Sequence, residues 1–229
     1  MKKFSIKALL SILMFLISSS CFAQWSTTGI DSVINSEVKS INVFYMAPID
    51  NNDISDLISS IIEINNKYKK ARHIYLYMST LGGNENSAFA AYQVIKSSKI
   101  PVTTINLSSV ASAGNILFCA AKHRQAFKNT MFIFHPISFL TNNAPNYSDL
   151  TPAKLANIKN MIKNFQVRAT KIFKQCTNFN DEAIQKPFYS EGNRYILYGA
   201  NAIKHHLING YVSGIKNTTV TYYINDDEK

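Results

Sequence analysis

The sequence predicts an α/β fold, with repeated βαβ units around a mostly parallel sheet and one long helix protruding from it. Three features carry that reading. Residues 41–46, 74–78 and 102–107 read as strands, and the run from Ile74 to Met78 is rich in β-formers and lacks the polar alternation of a half-exposed strand. Such runs suit a parallel sheet buried on both faces. The stretches between them place apolar residues at helical spacing. The connections are long enough for right-handed crossovers.

Element by element, residues 24–40 are polar and aperiodic, a loose arm or a first short element. Residues 41–46 form a strand ended by Ala47-Pro48-Ile49-Asp50. Asp53 is expected to cap a helix whose apolar face is Ile54, Leu57, Ile58, Ile61, Ile62 and Ile64. Residues 74–78 are a second strand, followed by Gly82-Gly83 and a helix through Ala88, Ala91, Tyr92 and Ile95. A third strand at 102–107, a helix over 112–122 and a strand at 130–134 complete the repeat. Residues 142–148 are a polar loop. Leu155, Ile158, Ile162, Phe165, Ile172 and Phe173 then mark the long helix, with Lys154, Lys159, Lys163, Lys171 and Lys174 on its other faces. A short helix near 200–207 and strands near 211–215 and 220–224 close a single domain.

The first residues stand apart from this domain. Lys2, Lys3 and Lys7 precede a short apolar core, and Ser18-Ser19-Ser20-Cys21-Phe22-Ala23 puts small residues before a cut at Ala23. That layout predicts a secretory signal over 1–23 and a domain over 24–229. Cleavage removes those three lysines and no acid, so the formal charge falls from +10 to +7. The remaining lysines are scattered, with no basic–aromatic cluster, so no nucleic-acid partner is expected. Metal-site spacings are absent, and no metal or cofactor is expected. Cys119 lies in an apolar run and reads as a buried structural thiol, although export would permit a disulfide with Cys176.

Acyl transfer needs a nucleophile, a base within reach and donors for the oxyanion. Ser108-Ser109-Val110-Ala111-Ser112-Ala113-Gly114 joins a strand end to a helix start, and small residues crowd Ser112. By itself this is also the pattern of a serine N-cap. Gly82-Gly83 and His135 stand at the ends of neighbouring strands. In a parallel sheet those ends share one crevice.

Four motifs in this order resemble the proteolytic subunit family of the Clp proteases. They are Met46-Ala47-Pro48-Ile49-Asp50, the strand leading to Leu81-Gly82-Gly83, Ala111-Ser112-Ala113-Gly114 and Phe132-Ile133-Phe134-His135-Pro136. The resemblance runs from about residue 41 to 215 and implies a Clp-protease/crotonase-like fold. It also implies that Ser112 attacks the scissile carbonyl and His135 takes its proton. The N–H groups of Gly83 and Ala113 would hold the oxyanion. An extended substrate would pair with backbone near Gly82, Gly83 and Asn84 and near Ile137 and Ser138.

The family's third catalytic residue, an aspartate, has no counterpart in Glu191-Gly192-Asn193-Arg194-Tyr195. Asn193 is the nearest match and Glu191 a second candidate. Asparagine orients a histidine but carries no charge, and in a serine protease triad that exchange costs about 10⁴ in kcat. Relatives that use a Ser–Lys pair make Lys154 a rival base, but a lysine must first be desolvated.

The expected function is therefore an ATP-independent serine endopeptidase of the cell envelope, cutting peptides or unfolded segments. Self-assembly, with stacked rings through the long helix, is expected. An ATPase partner is not. The alternative is a catalytically weak or inactive relative that binds extended peptides. Acyl-CoA chemistry on the same fold would leave the Ser/His pairing idle.

Overall fold

A computed structural model describes residues 26–29, 35, 37–138 and 150–226. The expected signal and the polar loop at 142–148 lie outside the described residues. The elements in chain order are β1 (Ser26–Gly29), β2 (Ser40–Met46), α1 (Asn51–Lys67), β3 (His73–Thr80), α2 (Glu85–Lys96), β4 (Val102–Ala111) and α3 (Gly114–Phe118). There follow β5 (His123–Ala126), β6 (Met131–Phe134), α4 (Pro152–Cys176), α5 (Asp181–Tyr189) and a 3-10 turn (Glu191–Asn193). β7 (Tyr195–Tyr198), α6 (Gly199–Lys204), β8 (Gly210–Tyr211) and β9 (Val220–Asn225) end the domain.

The described strands form one sheet in the order β1-β9-β2-β3-β4-β5-β8, with β6 leaving from β4 and β7 beyond it. Only the β1–β9 and β6–β7 pairs are antiparallel. The predicted α/β architecture of repeated parallel βαβ units is thus the observed one. Most of the expected apolar positions lie in its core, but Ile62 of α1 and Leu155 of α4 are exposed. Ile41, Val43, Ile74 and Leu76 are fully buried in one cluster with Leu57, Ile61 and Ile64 of α1 and Ala88 and Ala91 of α2. A smaller cluster gathers around Tyr77, whose ring stacks on Phe44 at 4.8 Å, while Phe44 stacks on Tyr223 at 5.1 Å.

β4 decides where the site lies. Its first half, Thr103 to Asn106, pairs with β5, and its last residues, Ser109 to Ala111, pair with β6. Buried Asn106 sits at the split. Its Nδ2 donates to the Met131 carbonyl at 2.9 Å, and its Oδ1 accepts from the Ser108 N–H at 3.0 Å. The strand therefore exchanges β5 for β6 as its neighbour, and β6 leads to the histidine.

Several local expectations are corrected. The cap of α1 is Asp50, whose Oδ1 accepts from the Asp53 N–H at 2.8 Å, because the chain already turns at Pro48. The helix expected over 112–122 is only Gly114–Phe118, since His123–Ala126 leaves to pair in parallel with β4. That strand, α5 and β7 are too short and too mixed in polarity to show a period. Cys119 is buried, as expected, but it is not a thiol: it is joined to Cys176. The two lie 57 residues apart in sequence, and the α4 C-terminus brings their Cα atoms to 5.6 Å. Closing a loop of that length stabilises by about 4 kcal/mol in the chain-entropy account. Replacing both cysteines with alanine is expected to lower the denaturant midpoint by a corresponding amount, with reduction giving a similar loss in the unaltered chain.

Arg124, at the start of β5, reinforces the same corner. Its buried guanidinium donates to the carbonyls of Ala121, Lys122, Cys176, His206 and Leu207 at 2.8 to 3.2 Å. On the opposite side of β4, the His73 ring nitrogen Nε2 lies 2.7 Å from Thr103 Oγ1. Burial first, and the neighbouring His123 second, lower the pKa of His73. A histidine depressed in the folded state contributes stability above its unfolded pKa of about 6.5 and loses it as pH falls. His73→Gln is therefore expected to lose less thermal stability than the unaltered protein between pH 7.5 and pH 5.

Candidate active site

The register places three strand ends in one row. Thr80 of β3 pairs with Val110 of β4, and Val110 pairs with Phe132 of β6. All three run parallel, so the residues just beyond them share one rim: Gly82-Gly83, Ser112 and His135. The sequence put these residues at the ends of consecutive strands; β5 intervenes between β4 and β6 in the chain, but β4 and β6 are neighbours in the sheet.

Ser112 departs from the chain around it. Its φ is +54°, in the left-handed region, with Ala113 capping α3 behind it. A non-glycine residue held there costs on the order of 1–3 kcal/mol, and such strain concentrates at functional sites. A sharp strand-to-helix turn exposes the nucleophile of α/β-hydrolases in a comparable way. Two bonds hold the turn: the Ser112 N–H and Asn115 Nδ2 both donate to the Ile133 carbonyl, at 2.9 and 2.7 Å. Asn115 is fully buried. Because α3 is one short turn, the helix dipole expected behind Ser112 is small, and strain rather than dipole distinguishes the serine.

Beside this turn runs the glycine strip. Gly82 has φ +93° and Gly83 φ +147°, both conformations that favour glycine. Gly83 forms a parallel bridge with Ile49: the Ile49 N–H donates to the Gly82 carbonyl at 2.9 Å, and the Asn84 N–H to the Ile49 carbonyl at 2.6 Å. In such a bridge the N–H of Gly83 itself points to the other side. Among the described residues no acceptor is bonded to the N–H of Gly83 or of Ala113. Two free amides flanking a serine are what an oxyanion requires. The N–H of Asn84 is taken by Ile49, and its Oδ1 caps α2 through the Ser87 N–H at 3.0 Å. Asn84 therefore lines the groove without a free backbone donor.

Two cavities meet at Ser112 and His135. A narrow pocket has apolar walls that include Ile116, Phe134, Phe173 and Phe188, with Glu85 among them. An open groove is lined by Gly82, Gly83, Asn84, Ile137 and Ser138, and again by Glu85. The His135 ring is half-buried, and its Nδ1 lies 2.8 Å from the Pro136 carbonyl oxygen. A carbonyl only accepts, so that contact puts the proton on Nδ1 and leaves Nε2 as the basic nitrogen.

Residues 27–209 match the sequence profile of the Clp protease family. The chain belongs to the Clp protease family. That family is one of serine peptidases. This family member is 31% identical over 91 residues to the ATP-dependent Clp protease proteolytic subunit 2 of Treponema denticola, 38% of this chain and 46% of that protein. It is 37% identical over 71 residues to the subunit of the same name in Treponema pallidum, 30% of this chain and 36% of that protein. The chain thus spans less than half the length of these curated relatives. The solved structure of a ClpP1 mutant from Listeria monocytogenes shares the fold, with a TM-score of 0.63 at 17% identity over 76% of this chain and 91% of that one.

The remaining sequence candidates lie less centrally. The β6–β7 ladder pairs Phe134 with Tyr195, which brings the 3-10 turn holding Asn193 to the His135 end of that ladder. Asn193 donates its N–H to the Ser190 carbonyl at 2.9 Å. Glu191 begins the same turn. Lys154 stands in the first turn of α4, where its N–H meets the capping Thr151 Oγ1 at 3.3 Å. Neither Asn193 nor Lys154 lines the pocket or the groove that Ser112 and His135 share. Sequence reasoning missed Glu85 and Asn115. Asn115 interrupts an apolar run and so left a signal. Glu85, an acid in the first turn of a helix, left none.

Proposed function

We propose that this Clp protease family member is an ATP-independent serine endopeptidase of the cell envelope that cleaves peptides or unfolded segments. The observation that carries the proposal is Ser112, held in a left-handed turn between two free amides on the rim where His135 stands. On this reading Ser112 Oγ attacks the scissile carbonyl and its proton passes to His135 Nε2. The tetrahedral oxyanion settles on the N–H groups of Gly83 and Ala113. His135 then gives the proton to the leaving amine, and water repeats the sequence to release the acyl group. The apolar walls of the narrow pocket suit an apolar side chain next to the cut.

Two features favour export and self-assembly. The Cys119–Cys176 bond suits an oxidising compartment, and on this reading the chain works without an ATP-driven partner. An open apolar strip on α4, including Leu155 at 52% and Val167 at 46% exposure, suits contact between copies of the chain, including stacked rings. Among the described residues no helix is long and apolar enough to cross a membrane.

The test is a fluorophosphonate probe on the folded chain, together with a fluorogenic peptide bearing an apolar residue at the cut. Labelling of Ser112 with peptide turnover is the expected result. The uncharged Asn193 favours a second reading, a protein that binds extended peptides without cutting them. Peptide binding with neither label nor turnover would decide for that one.

A further inference from the structure

Glu85 is the residue at this site with no role in the scheme above. It opens α2, directly after the glycine strip, and lines both the narrow pocket and the open groove with Ser112 and His135. A carboxyl in an otherwise apolar wall is costly to ionise unless a charge or donor answers it. Burial is the main influence and raises the Glu85 pKa. Its own backbone N–H and then the positive charge available on His135 act in the other direction.

The elements around it bring few other charges. α3 contributes Ile116, the end of β6 contributes Phe134 and His135, and α5 contributes Phe188. α4 contributes Ala169 and Phe173, and also Arg168, whose guanidinium lies over the Phe89 ring at 3.6 Å and reaches Asn86 Oδ1 at 3.5 Å. Among the described residues that line the two cavities, His135 is the ionisable group beside Glu85.

We propose that Glu85 is a positioning residue: its carboxylate stabilises the His135 imidazolium, while the Pro136 carbonyl fixes which ring nitrogen is basic. The catalytic part of this rests on the peptidase reading above. During attack, the Ser112 proton moves to Nε2 and the ring gains a full positive charge. A carboxylate sharing a cavity with the ring lowers the energy of the charged state. One group supplies the orientation and another the charge. In the Ser-His-Asp arrangement a single aspartate supplies both. The competing account gives Glu85 only a structural part, complementing the dipole of α2 from its first turn.

Glu85→Gln keeps the shape and removes the charge, and Glu85→Asp keeps the charge. Two readouts on the full chain separate the accounts. The first is the NMR titration of the His135 ring, assigned by its loss in a His135→Gln variant. In Glu85→Gln the ring is expected to titrate at lower pH than in the unaltered protein, with Glu85→Asp recovering most of the difference. An unchanged titration overturns the proposal, whatever the activity does. The second is the rate of fluorophosphonate labelling across pH, expected to fall about tenfold or more in Glu85→Gln and to recover in Glu85→Asp. Equal labelling rates in all three proteins would leave Glu85 without a part in catalysis and overturn the proposal. A folded, unaltered protein that takes no label would instead sink the peptidase reading, and the ring titration would still decide whether Glu85 and His135 are coupled.

Discussion

Ser112→Ala is expected to abolish peptide turnover and fluorophosphonate labelling, a fall of at least about 10⁴ in kcat, while the chain stays folded. In serine peptidases the triad acts as a unit, so losing the nucleophile alone costs about as much as losing every member. Alanine removes only Oγ. The bond from the residue 112 N–H to the Ile133 carbonyl is backbone to backbone and survives the exchange. Ser112→Gly is the informative companion. The left-handed φ of +54° costs an L-residue on the order of 1–2 kcal/mol, which glycine escapes. Glycine in turn loses about 0.4–1 kcal/mol through the greater freedom of the unfolded chain. The net gain lies between about 0 and about 1.6 kcal/mol. Equal or higher stability with no activity is therefore expected for Ser112→Gly. Full turnover by either variant would remove Ser112 from the chemistry.

Gly82→Ala is expected to have the second largest effect, through the nucleophile's position rather than its chemistry. A Cβ on Gly82 would stand 2.6 Å from Ser112 Cβ, 2.8 Å from the Ala111 carbonyl oxygen and 3.1 Å from the Ala113 nitrogen. Two of these atoms are backbone and the third is fixed to it, so none can swing away. The φ of +93° adds conformational strain of about 1–3 kcal/mol. Relief requires the Ser112 turn and the glycine strip to separate. A displacement near 1 Å costs about 10²-fold in rate where reacting groups must align. We expect a loss of that order in kcat/KM with a lowered unfolding midpoint. Gly214→Ala is the control, because a Cβ there meets nothing within 4 Å. Similar kinetics for the two variants would mean that the contact with Ser112 does not position it.

The sheet was legible in the sequence because its strands bury both faces. Ile41, Val43, Ile74 and Leu76 are fully enclosed on one face, and Tyr77 and Ile105 on the other. Runs of β-formers mark such strands even where Asn42, Thr103, Thr104 and Asn106 are buried among them. The rim followed from the same fact, since parallel strands end together and glycine, serine and histidine stand just past those ends. β5 and β7 were not legible. His123-Arg124-Gln125-Ala126 has three polar side chains, and Arg124 finds its five carbonyl partners only in the fold. Tyr195–Tyr198 is a strand because it lies against β6, and residues 196 and 198 remain exposed.

The sequence by itself determined the α/β class, the order of the motifs and the residue types at the rim. These depend on local chemistry: apolar runs, helical spacing and glycines at turns. Only the tertiary structure decided the left-handed turn at Ser112, the pairing of Cys119 with Cys176, and the company Glu85 keeps with His135. Each depends on how distant segments approach one another. Spacing along a chain carries no record of which buried side chain will face which, so a carboxyl fifty residues from its histidine became visible only when α2 and β6 were brought to one cavity.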